Sequence, residues 1–188
     1  ATTGRLITVP GDTTEAGIKE GYRSHFSHND ERAEAGYYSV LLKDYDILAE
    51  LTATRRVAMQ RFTYPQSEES HIIFDIGNRM GESGAVKDAQ VRILDVKAYQ
   101  PGATVSIFFS ASIDKKATSW GTFNHANINN RYAREANGEG AGAYLSFATR
   151  KGEQVTVKVG ISYTSVENAR RNRLAEARTL TFDEAKEL

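Results

Sequence analysis

Apolar and polar residues alternate with a period of two through most of the first 163 residues. This is the spacing at which one face of a β-strand is buried, and the segments that show it are rich in β-branched and aromatic residues. The pattern predicts strands at 37–43, 47–54, 56–64, 71–77, 91–99, 104–113, 142–149 and 154–163. Short turn sequences join several of them, at 44–46, 100–103 and 150–154. Short strands with short turns and no intervening helix predict a mainly β fold, an antiparallel β-sandwich, rather than a parallel doubly wound sheet.

Two glycine-bearing stretches interrupt the strand pattern, at 78–89 and at 114–143. The second is long, polar and rich in asparagine. A connection of that length in a compact domain is usually functional or disordered. Both stretches are predicted to be loops.

The pattern changes to helical spacing at Thr164. The sequence TSVE predicts a capping box in which Thr164 is the N-cap and Glu167 reaches back to it. A second capping box, formed by Thr181 and Glu184, predicts another helix that starts very close to the end of the chain.

A single turn of helix is not stable by itself, and the first residue, Ala1, is not methionine. We therefore expect a piece of a longer protein in which a helical region continues. The predicted organisation is a sandwich domain at 1–163 and the start of a helical linker at 164–188.

Composition excludes several classes of function. The chain carries 24 basic and 24 acidic residues and no cysteine. The zero net charge gives no long-range attraction to nucleic acid or to an anionic membrane surface. The lack of cysteine excludes disulfides and thiolate metal sites. No apolar run reaches the roughly 20 residues that span a bilayer, and no signal peptide is recognisable. We expect no nucleic-acid partner and no membrane span.

The segment richest in candidate chemistry is GYRSHFSHNDE, at 21–31. His25 and His28 are three residues apart, a spacing that places two imidazoles on one face of a helix for a zinc ion. On a strand the same side chains point to opposite faces, and the segment lacks a helical apolar pattern. A Ser-His-Asp triad is a weaker interpretation because no G-x-S-x-G sequence is present. A polar loop whose side chains bind nearby backbone groups is therefore favoured.

The only tryptophan, Trp120, lies in the long predicted loop close to Asn124, His125 and Asn127. An indole can stack on the apolar face of a sugar while amides bind the sugar hydroxyls. The alternative is that Trp120 packs at the edge of the sandwich. The G-x-G spacing at 138–143 lacks a surrounding strand-to-helix pattern, which favours a loop tip over a nucleotide site.

The run GYRSHFSHNDERAEAGYYSVLLKDYDILAELTATRRVAMQRFTYP, at 21–65, is long and distinctive. Together with SHIIFDIG at 70–77 and VTVKVGISYTSVENARRNRLAEA at 155–177, it closely resembles the N-terminal domain of glycoside hydrolase family 92, the bacterial exo-acting α-mannosidases. The resemblance implies a supersandwich-like β-sandwich followed by a helical linker and an (α/α)6 barrel, with the barrel missing from this chain.

The resemblance also implies what the parent protein does. It is expected to be a calcium-dependent, inverting exo-α-mannosidase that acts on terminal α-mannosides of glycans in the periplasm or outside the cell. The family's catalytic carboxylates and Ca²⁺ ligands lie mainly in the barrel, so no catalytic or metal-binding residue is predicted here. The chain alone is expected to be inactive. Its expected partners are mannose-containing glycans, through the parent enzyme, and the barrel itself.

The sequence departs from the family pattern at three positions. Ala35 stands where proline is usual, Asp46 where glycine is usual and Gln60 where histidine is common. Aspartate tolerates a left-handed backbone better than most residues, so we expect the turn at 44–46 to be retained. No role of the family's histidine is assigned to Gln60.

The polar segment at 21–31 is then expected to lie where the sandwich borders the barrel and its sugar pocket. His28 and Glu31, followed by His25 and Trp120, are predicted to contact the substrate or the domain interface. Two alternatives stay open. One is a free-standing carbohydrate-binding β-sandwich that uses Trp120, and the other is an interaction scaffold with an exposed apolar face.

Overall fold

A computed structural model describes residues 1–11, 21–77, 86, 89–93, 97–100 and 106–188, and of 97–100 only the backbone. Within these residues two antiparallel sheets pack face to face, and helices follow at the carboxyl end. The predicted fold class, an antiparallel β-sandwich with a C-terminal helix, is confirmed.

The strands are numbered in chain order. The first are β1 (Thr2–Thr3), β2 (Glu31–Glu34), β3 (Tyr37–Leu42), β4 (Ile47–Ala53), β5 (Val57–Tyr64), β6 (Ser67–Asp75) and β7 (Gln90–Arg92). The others are β8 (Lys97–Gln100), β9 (Ile107–Ile113), β10 (Ser119–Asn124), β11 (Asn127–Arg131), β12 (Glu135–Asn137), β13 (Gly142–Thr149) and β14 (Glu153–Ser162). A one-turn 3-10 helix, His28–Asp30, precedes β2, and the α-helices are α1 (Val166–Ala177) and α2 (Phe182–Lys186).

The smaller sheet has the strand order β1-β6-β13-β10-β11, and the larger has the order β12-β7-β8-β9-β14-β5-β4-β3-β2. In the larger sheet, β2 to β5 are consecutive antiparallel neighbours. Strand β14 pairs with β5 on one side and with β9 on the other, and so joins the two halves of that sheet.

Two predictions about the middle of the chain are wrong. The predicted strand at 91–99 is a hairpin of two antiparallel strands, β7 and β8. The predicted loop at 114–143 contains β10, β11 and β12, because glycine and asparagine at turn and edge positions hide the alternation there. The loop predicted at 78–89 and the turn predicted at 100–103 lie largely outside the described residues.

The main core lies between the inner faces of the two sheets. Phe62 of β5 and Val155 and Val157 of β14 are buried there. The rings of Tyr64 and Phe147 meet edge to face, with centroids 5.7 Å apart, and so join the larger sheet to the smaller one. Burial of a side chain of this size contributes about 1.5–3 kcal/mol, so this layer is the principal source of stability.

The tight turn between β3 and β4 forms with an aspartate, Asp46, at the position where the resemblance implies glycine. Asp46 adopts a φ of 51°, in the left-handed region that aspartate tolerates better than most residues. The expectation for this position is confirmed.

Helix α1 begins one residue later than predicted. Ser165, not Thr164, is the N-cap, and its Oγ accepts a hydrogen bond from the Asn168 N–H at 3.0 Å. The Thr164 hydroxyl instead interacts with the hydroxyl of Ser162 and the side-chain amide of Asn168. The chemistry of the cap was predicted correctly, but its position was wrong.

Helix α1 packs on the outer face of the larger sheet, mainly over β14 and β9. Gly160 permits this approach, since a Cβ there would lie 2.4 Å from the carbonyl oxygen of Ala169. Beyond the helix end, Lys158 Nζ donates to the carbonyl oxygens of Ala177 at 2.8 Å and Leu180 at 2.6 Å. The lysine thus satisfies the carbonyl of the last helical residue, Ala177, and complements the helix dipole, and it also binds the segment that leads to α2.

The capping box predicted for α2 is confirmed. The Thr181 Oγ1 accepts from the Glu184 N–H, and the Glu184 carboxylate accepts from the Thr181 N–H. Phe182 and Ala185 are buried against the larger sheet. Tertiary packing, rather than helix propensity, therefore stabilises this short helix.

Arg61 of β5 joins α2 to the sheet. Its guanidinium donates hydrogen bonds to Glu50 at 2.7 and 2.8 Å and to Asp183 at 2.8 Å. The same group lies 4.3 Å from the centroid of the Phe182 ring. The hydroxyl of Tyr37 also donates to Glu50, at 2.9 Å. Because the Glu50 side chain is only 8% exposed, these donors are needed to stabilise its negative charge.

A cleft of about 330 Å³ opens between the sheets beside Ala1. Its lining is mainly apolar and includes Phe74 of β6, Phe109 of β9 and Ile161 of β14, with Gln60 of β5 as a polar exception. Ala1, next to β1, is half-buried there and packs against the main core.

We predict that Arg61→Met lowers the free energy of unfolding by about 3 kcal/mol at pH 7, because it leaves the Glu50 carboxylate buried without a cation. Urea unfolding measures the change. The exposed pair Arg32–Glu34 provides the control, and Arg32→Met is expected to cost less than about 1 kcal/mol.

The same pair has a defined pH dependence. The hydrogen bond from Arg61 lowers the pKa of Glu50 below its ordinary value of 4.5. The pair's contribution is therefore present above pH 4.5 and is lost as the pH falls through the folded-state pKa. The stability difference between the native chain and Arg61→Met should shrink in acid, and a constant difference would contradict this assignment.

Candidate functional site

The inner face of the larger sheet extends beyond the part that the smaller sheet covers. Along β4 the inward-facing residues become steadily more exposed, from Ile47 at 0% through Ala49 at 5% to Leu51 at 37%. Strand pairing places Tyr38 of β3 opposite Leu51, and Leu51 opposite Gln60 of β5. These three residues, Tyr38, Leu51 and Gln60, form a row that we call the open face.

A polar cluster continues the open face at the edge of the sheet. Glu31, the first residue of β2, accepts a hydrogen bond from the Tyr38 hydroxyl at 2.5 Å. Its other carboxylate oxygen lies 2.6 Å from Nδ1 of His28. The 3-10 turn that carries His28 is capped by Ser27, whose Oγ accepts from the Asn29 N–H at 3.3 Å. The His28–Glu31–Tyr38 cluster is thus held by local hydrogen bonds.

The electrostatics of the cluster favour an ionised carboxylate. Hydrogen bonds from Tyr38 and then from His28 lower the pKa of Glu31. The bond to Glu31 in turn raises the pKa of Tyr38. An ionised Glu31 accepts at both oxygens, so it orients His28 with Nδ1–H toward the protein.

The imidazole of His28 is the accessible end of this cluster, with 87% of its side chain exposed. Its Nε2 faces outward and can accept a hydrogen bond when neutral or donate one when protonated. Phe26, itself 53% exposed, meets His28 edge to face with ring centroids 5.5 Å apart. An apolar ring beside an oriented imidazole can bind either a sugar or another protein surface.

His25 has a different role. Its backbone N–H donates to Oδ2 of Asp44 at 3.0 Å, and its ring Nδ1 lies 2.9 Å from the same oxygen. The backbone bond is the main cause of the lowered pKa of Asp44. His25 thus anchors the polar segment to the β3–β4 turn and pairs with a different carboxylate from that of His28.

The alternatives of a zinc site and a hydrolase triad gain no support from this geometry. Among the described residues, no group of three or more His, Asp or Glu side chains could hold a metal ion. The hydroxyl of Ser24 donates to the carbonyl of His25 and accepts from the Asp44 N–H. Ser24 and Ser27 therefore bind backbone groups rather than an imidazole.

Trp120 lies in β10, not in a loop, so its predicted setting is wrong. Its indole packs between the sheets with Ala111 and Leu145. It also meets Tyr132 edge to face, with centroids 5.5 Å apart, and the guanidinium of Arg134 lies 5.8 Å from its centroid. This arrangement favours the packing alternative over sugar stacking, and it places Trp120 apart from the His28–Glu31–Tyr38 cluster.

Asn124, near Trp120, uses its side chain for hydrogen bonds to the backbone. The Asn124 side chain accepts from the Asn127 N–H at 2.8 Å and donates to the Asn137 carbonyl at 3.1 Å. In the glycine-rich stretch, a Cβ at Gly140 would lie 2.1 Å from the ring of His125. Gly140 thus permits close packing against His125, and this arrangement gives no support to a nucleotide-binding loop.

The contributions of Tyr38 and Leu51 to the site were not predicted from the sequence. The signal was present, because β3, β4 and β5 are consecutive strands with short turns, and pairing them places both residues beside Gln60. The sequence did not show where along these strands the smaller sheet ends.

Comparisons with known proteins agree with this fold. Residues 2–162 match the model of the glycosyl hydrolase family 92 N-terminal domain. The structure of a family GH92 α-mannosidase from Bacteroides thetaiotaomicron is 33% identical, covers 99% of this chain and has a TM-score of 0.86. A structure of the same enzyme in complex with mannoimidazole gives the same values. A family GH92 inverting mannosidase from Bacteroides thetaiotaomicron VPI-5482, at 21% identity over 90% of the chain, has a TM-score of 0.76 and supports the fold alone.

The chain spans about a quarter of the relatives it matches, 26% of the first mannosidase and 24% of the inverting one. No curated protein matches it. The family match covers most of the chain and the 33% identity extends along nearly all of it. This chain belongs to glycosyl hydrolase family 92 and corresponds to the family's N-terminal domain.

Proposed function

We propose that this chain is the N-terminal domain of a secreted bacterial exo-α-mannosidase, in which it supports a catalytic (α/α)6 barrel and borders the sugar pocket. The observation that carries the proposal is the 33% identity along 99% of the chain to an α-mannosidase of which one structure contains mannoimidazole. The parent enzyme would remove terminal α-mannosides from glycans with inversion, in the periplasm or outside the cell. No described helix is long and apolar enough to cross a membrane.

Proton transfer is assigned to residues outside this chain. An inverting glycosidase needs a general acid on one side of the scissile bond and a general base that activates water on the other. A general acid must hold its proton near neutral pH, whereas the pKa of Glu31 is lowered. Glu31 is also a poor candidate base, because both of its oxygens already accept hydrogen bonds from Tyr38 and His28.

The His28–Glu31–Tyr38 cluster is therefore proposed to bind rather than to react. Glu31 fixes the tautomer and the direction of His28, and the exposed Nε2 can then bond a sugar hydroxyl or a polar group of the barrel. Phe26 adds an apolar surface beside it. In this role the imidazole helps to position a substrate that the barrel hydrolyses.

The calcium ion of the parent enzyme is likewise assigned to the barrel. Calcium is bound by six to eight oxygen ligands. The described residues do not fit such a site, since they contain no group of three or more potential ligands. When bound, calcium would supply positive charge for oxygen ligands of the sugar, and none of the steps proposed for this chain depends on it.

The free-standing carbohydrate-binding module is the second candidate function. The hypothesis of such a module was based on Trp120, whose indole packs between the sheets. The exposed Phe26 and His28 offer a smaller surface for sugar. An isolated module of this kind would bind mannosides without any other domain, which separates it from the first proposal.

We predict that this chain alone does not hydrolyse an aryl α-mannoside, with or without calcium. The physical reason is that Glu31, the carboxylate of the candidate site, already accepts hydrogen bonds at both oxygens and has a lowered pKa. The parent enzyme should hydrolyse the same substrate and lose activity with a chelator. Calcium-dependent turnover by residues 1–188 would show that the active site has been misplaced.

In the parent enzyme, His28→Ala is expected to weaken substrate binding or turnover by about 5- to 30-fold, the effect of one or two lost hydrogen bonds. Steady-state kinetics on a mannoside measure it. His25→Ala is the matched control, because the two imidazoles are similarly exposed, at 83% and 87%, and each pairs with one carboxylate. Equal effects of the two substitutions, or no effect of His28→Ala, would overturn the role assigned to His28.

A further inference from the structure

The turn that leads from β11 to β12 holds an exposed aromatic side chain on a strained backbone. Tyr132 directly follows β11, is 53% exposed and has a φ of 62°. This is the left-handed region, which aspartate tolerates at Asp46 but which a bulky residue rarely adopts. The Tyr132 N–H donates to the Trp120 carbonyl at 2.7 Å, which helps to hold this conformation. Backbone strain that the surroundings maintain is typical of residues at ligand sites.

Two arginines lie against the aromatic rings at this turn. The guanidinium of Arg131 is 4.9 Å from the centroid of the Tyr132 ring, and that of Arg134 is 5.8 Å from the centroid of the Trp120 ring. The two rings meet edge to face, with centroids 5.5 Å apart. The four side chains, Trp120, Arg131, Tyr132 and Arg134, therefore adjoin one another, and we call them the arginine–aromatic patch.

The patch carries positive charge that no carboxylate of the described residues neutralises. Arg131 and Arg134 are both exposed, and neither forms an ion pair within the described part of the chain. Glu135, which follows Arg134 in the sequence, pairs with Arg92 of β7 at 2.6 Å instead. A guanidinium held against a ring keeps the N–H groups in its plane available, so it can bind an oxyanion in a bidentate manner.

An oriented amide on β11 lies next to the patch. Asn129 and Arg131 are two residues apart on this strand and so lie on the same face of it. The side-chain oxygen of Asn129 accepts a hydrogen bond from the Tyr144 hydroxyl at 2.8 Å. The side-chain NH2 group of Asn129, an exposed residue, can then donate to a hydroxyl group of a ligand.

The patch is separate from the His28–Glu31–Tyr38 cluster. Strand β12, which begins just after the patch, is the first strand in the order of the larger sheet, and β2, which carries Glu31, is the last. Seven strands lie between them. A ligand bound at the patch would therefore not occupy the candidate site described above.

We propose that the arginine–aromatic patch binds an acidic polysaccharide, whose sugar rings carry carboxylate or sulfate groups. The ring of Tyr132 would stack on the apolar face of a sugar, and the guanidinium of Arg131 would pair with its oxyanion. Asn129 would donate to a hydroxyl of the same chain. An acidic protein segment is the competing occupant, and the exposed ring beside the guanidinium favours the sugar, because only a sugar supplies both an apolar ring face and hydroxyls.

This inference goes beyond the proposed function and does not depend on it. It concerns a different surface and needs neither the barrel nor the hydrolytic reaction. The test reads binding and not mannoside hydrolysis, so either proposal can fail without the other.

The experiment measures the affinity of residues 1–188 for four probes by isothermal titration calorimetry at physiological ionic strength. The probes are oligogalacturonate, sulfated dextran oligosaccharide, neutral dextran oligosaccharide and poly-glutamate. At least one of the two acidic oligosaccharides should bind about tenfold or more tightly than neutral dextran. The tighter of the two identifies carboxylate or sulfate as the preferred oxyanion.

Substitutions in the patch then test its residues. Arg131→Gln should weaken binding of the preferred probe by about 5- to 30-fold, the effect of lost charge-assisted hydrogen bonds. Tyr132→Gly should weaken it by about fivefold or more, since glycine tolerates the backbone conformation but removes the ring. Tyr132→Phe keeps the ring and should change the affinity by less than about twofold. Thermal unfolding verifies that each variant is folded.

Arg150→Gln is the matched control. Arg150 is an exposed arginine at the turn between β13 and β14, so this variant loses the same charge outside the patch. Its affinity should change by less than about twofold, because an exposed charge away from the ligand is screened by salt.

The proposal is overturned if neither acidic oligosaccharide binds more tightly than neutral dextran. Equal losses in Arg131→Gln and Arg150→Gln would also overturn it, since the attraction would then be non-specific. If poly-glutamate binds as tightly as the acidic oligosaccharides and Tyr132→Gly does not weaken binding, the patch would instead fit an acidic protein segment, and the proposal would fail.

Discussion

Burial of the central strand β5 on both of its faces is the constraint on which the rest of the structure depends. On the inner side, Phe62 packs in the core between the sheets. On the outer side, Val57 and Met59 pack with Phe182 under the C-terminal helices. A slip of this strand by one residue would move its inward-facing side chains to the outer face and its outward-facing side chains to the inner face. The register between β5 and its neighbours is therefore fixed from both directions.

That register also builds the candidate site. Pairing of β5 with β4 and of β4 with β3 places Gln60, Leu51 and Tyr38 in one row across the sheet. The hydroxyl of Tyr38 reaches Glu31, and Glu31 reaches His28. The row becomes exposed at Leu51, whereas Tyr38 and Gln60 are half-buried. The position of the site therefore follows from where the cover by the described part of the smaller sheet decreases. The His28–Glu31–Tyr38 cluster is thus a product of long-range pairing as well as of local sequence.

The sequence predicted β3, β4 and β5 because their alternation is continuous and their turns are short. His28 and Glu31 are close in the chain, three positions apart, and both were named as candidates from the sequence. The sequence could not predict that Asp44, nineteen positions away, would draw His25 to a different carboxylate, because that contact needs the β3–β4 turn in place. The same limit applies to Trp120, whose strand is masked by neighbouring glycine and asparagine. Alternation reports which residues share a face, but it does not show where a chain reverses, as the β7–β8 hairpin demonstrates.

The cleft beside Ala1 and the open face share one residue, Gln60. It lines the cleft, and across the pairing of β5 with β4 it lies opposite Leu51 of the open face. Because packed side chains do not deform independently, a change in packing around Gln60 would affect both places. The strand register that holds β5 in place therefore also connects the cleft between the sheets to the row that leads to Tyr38.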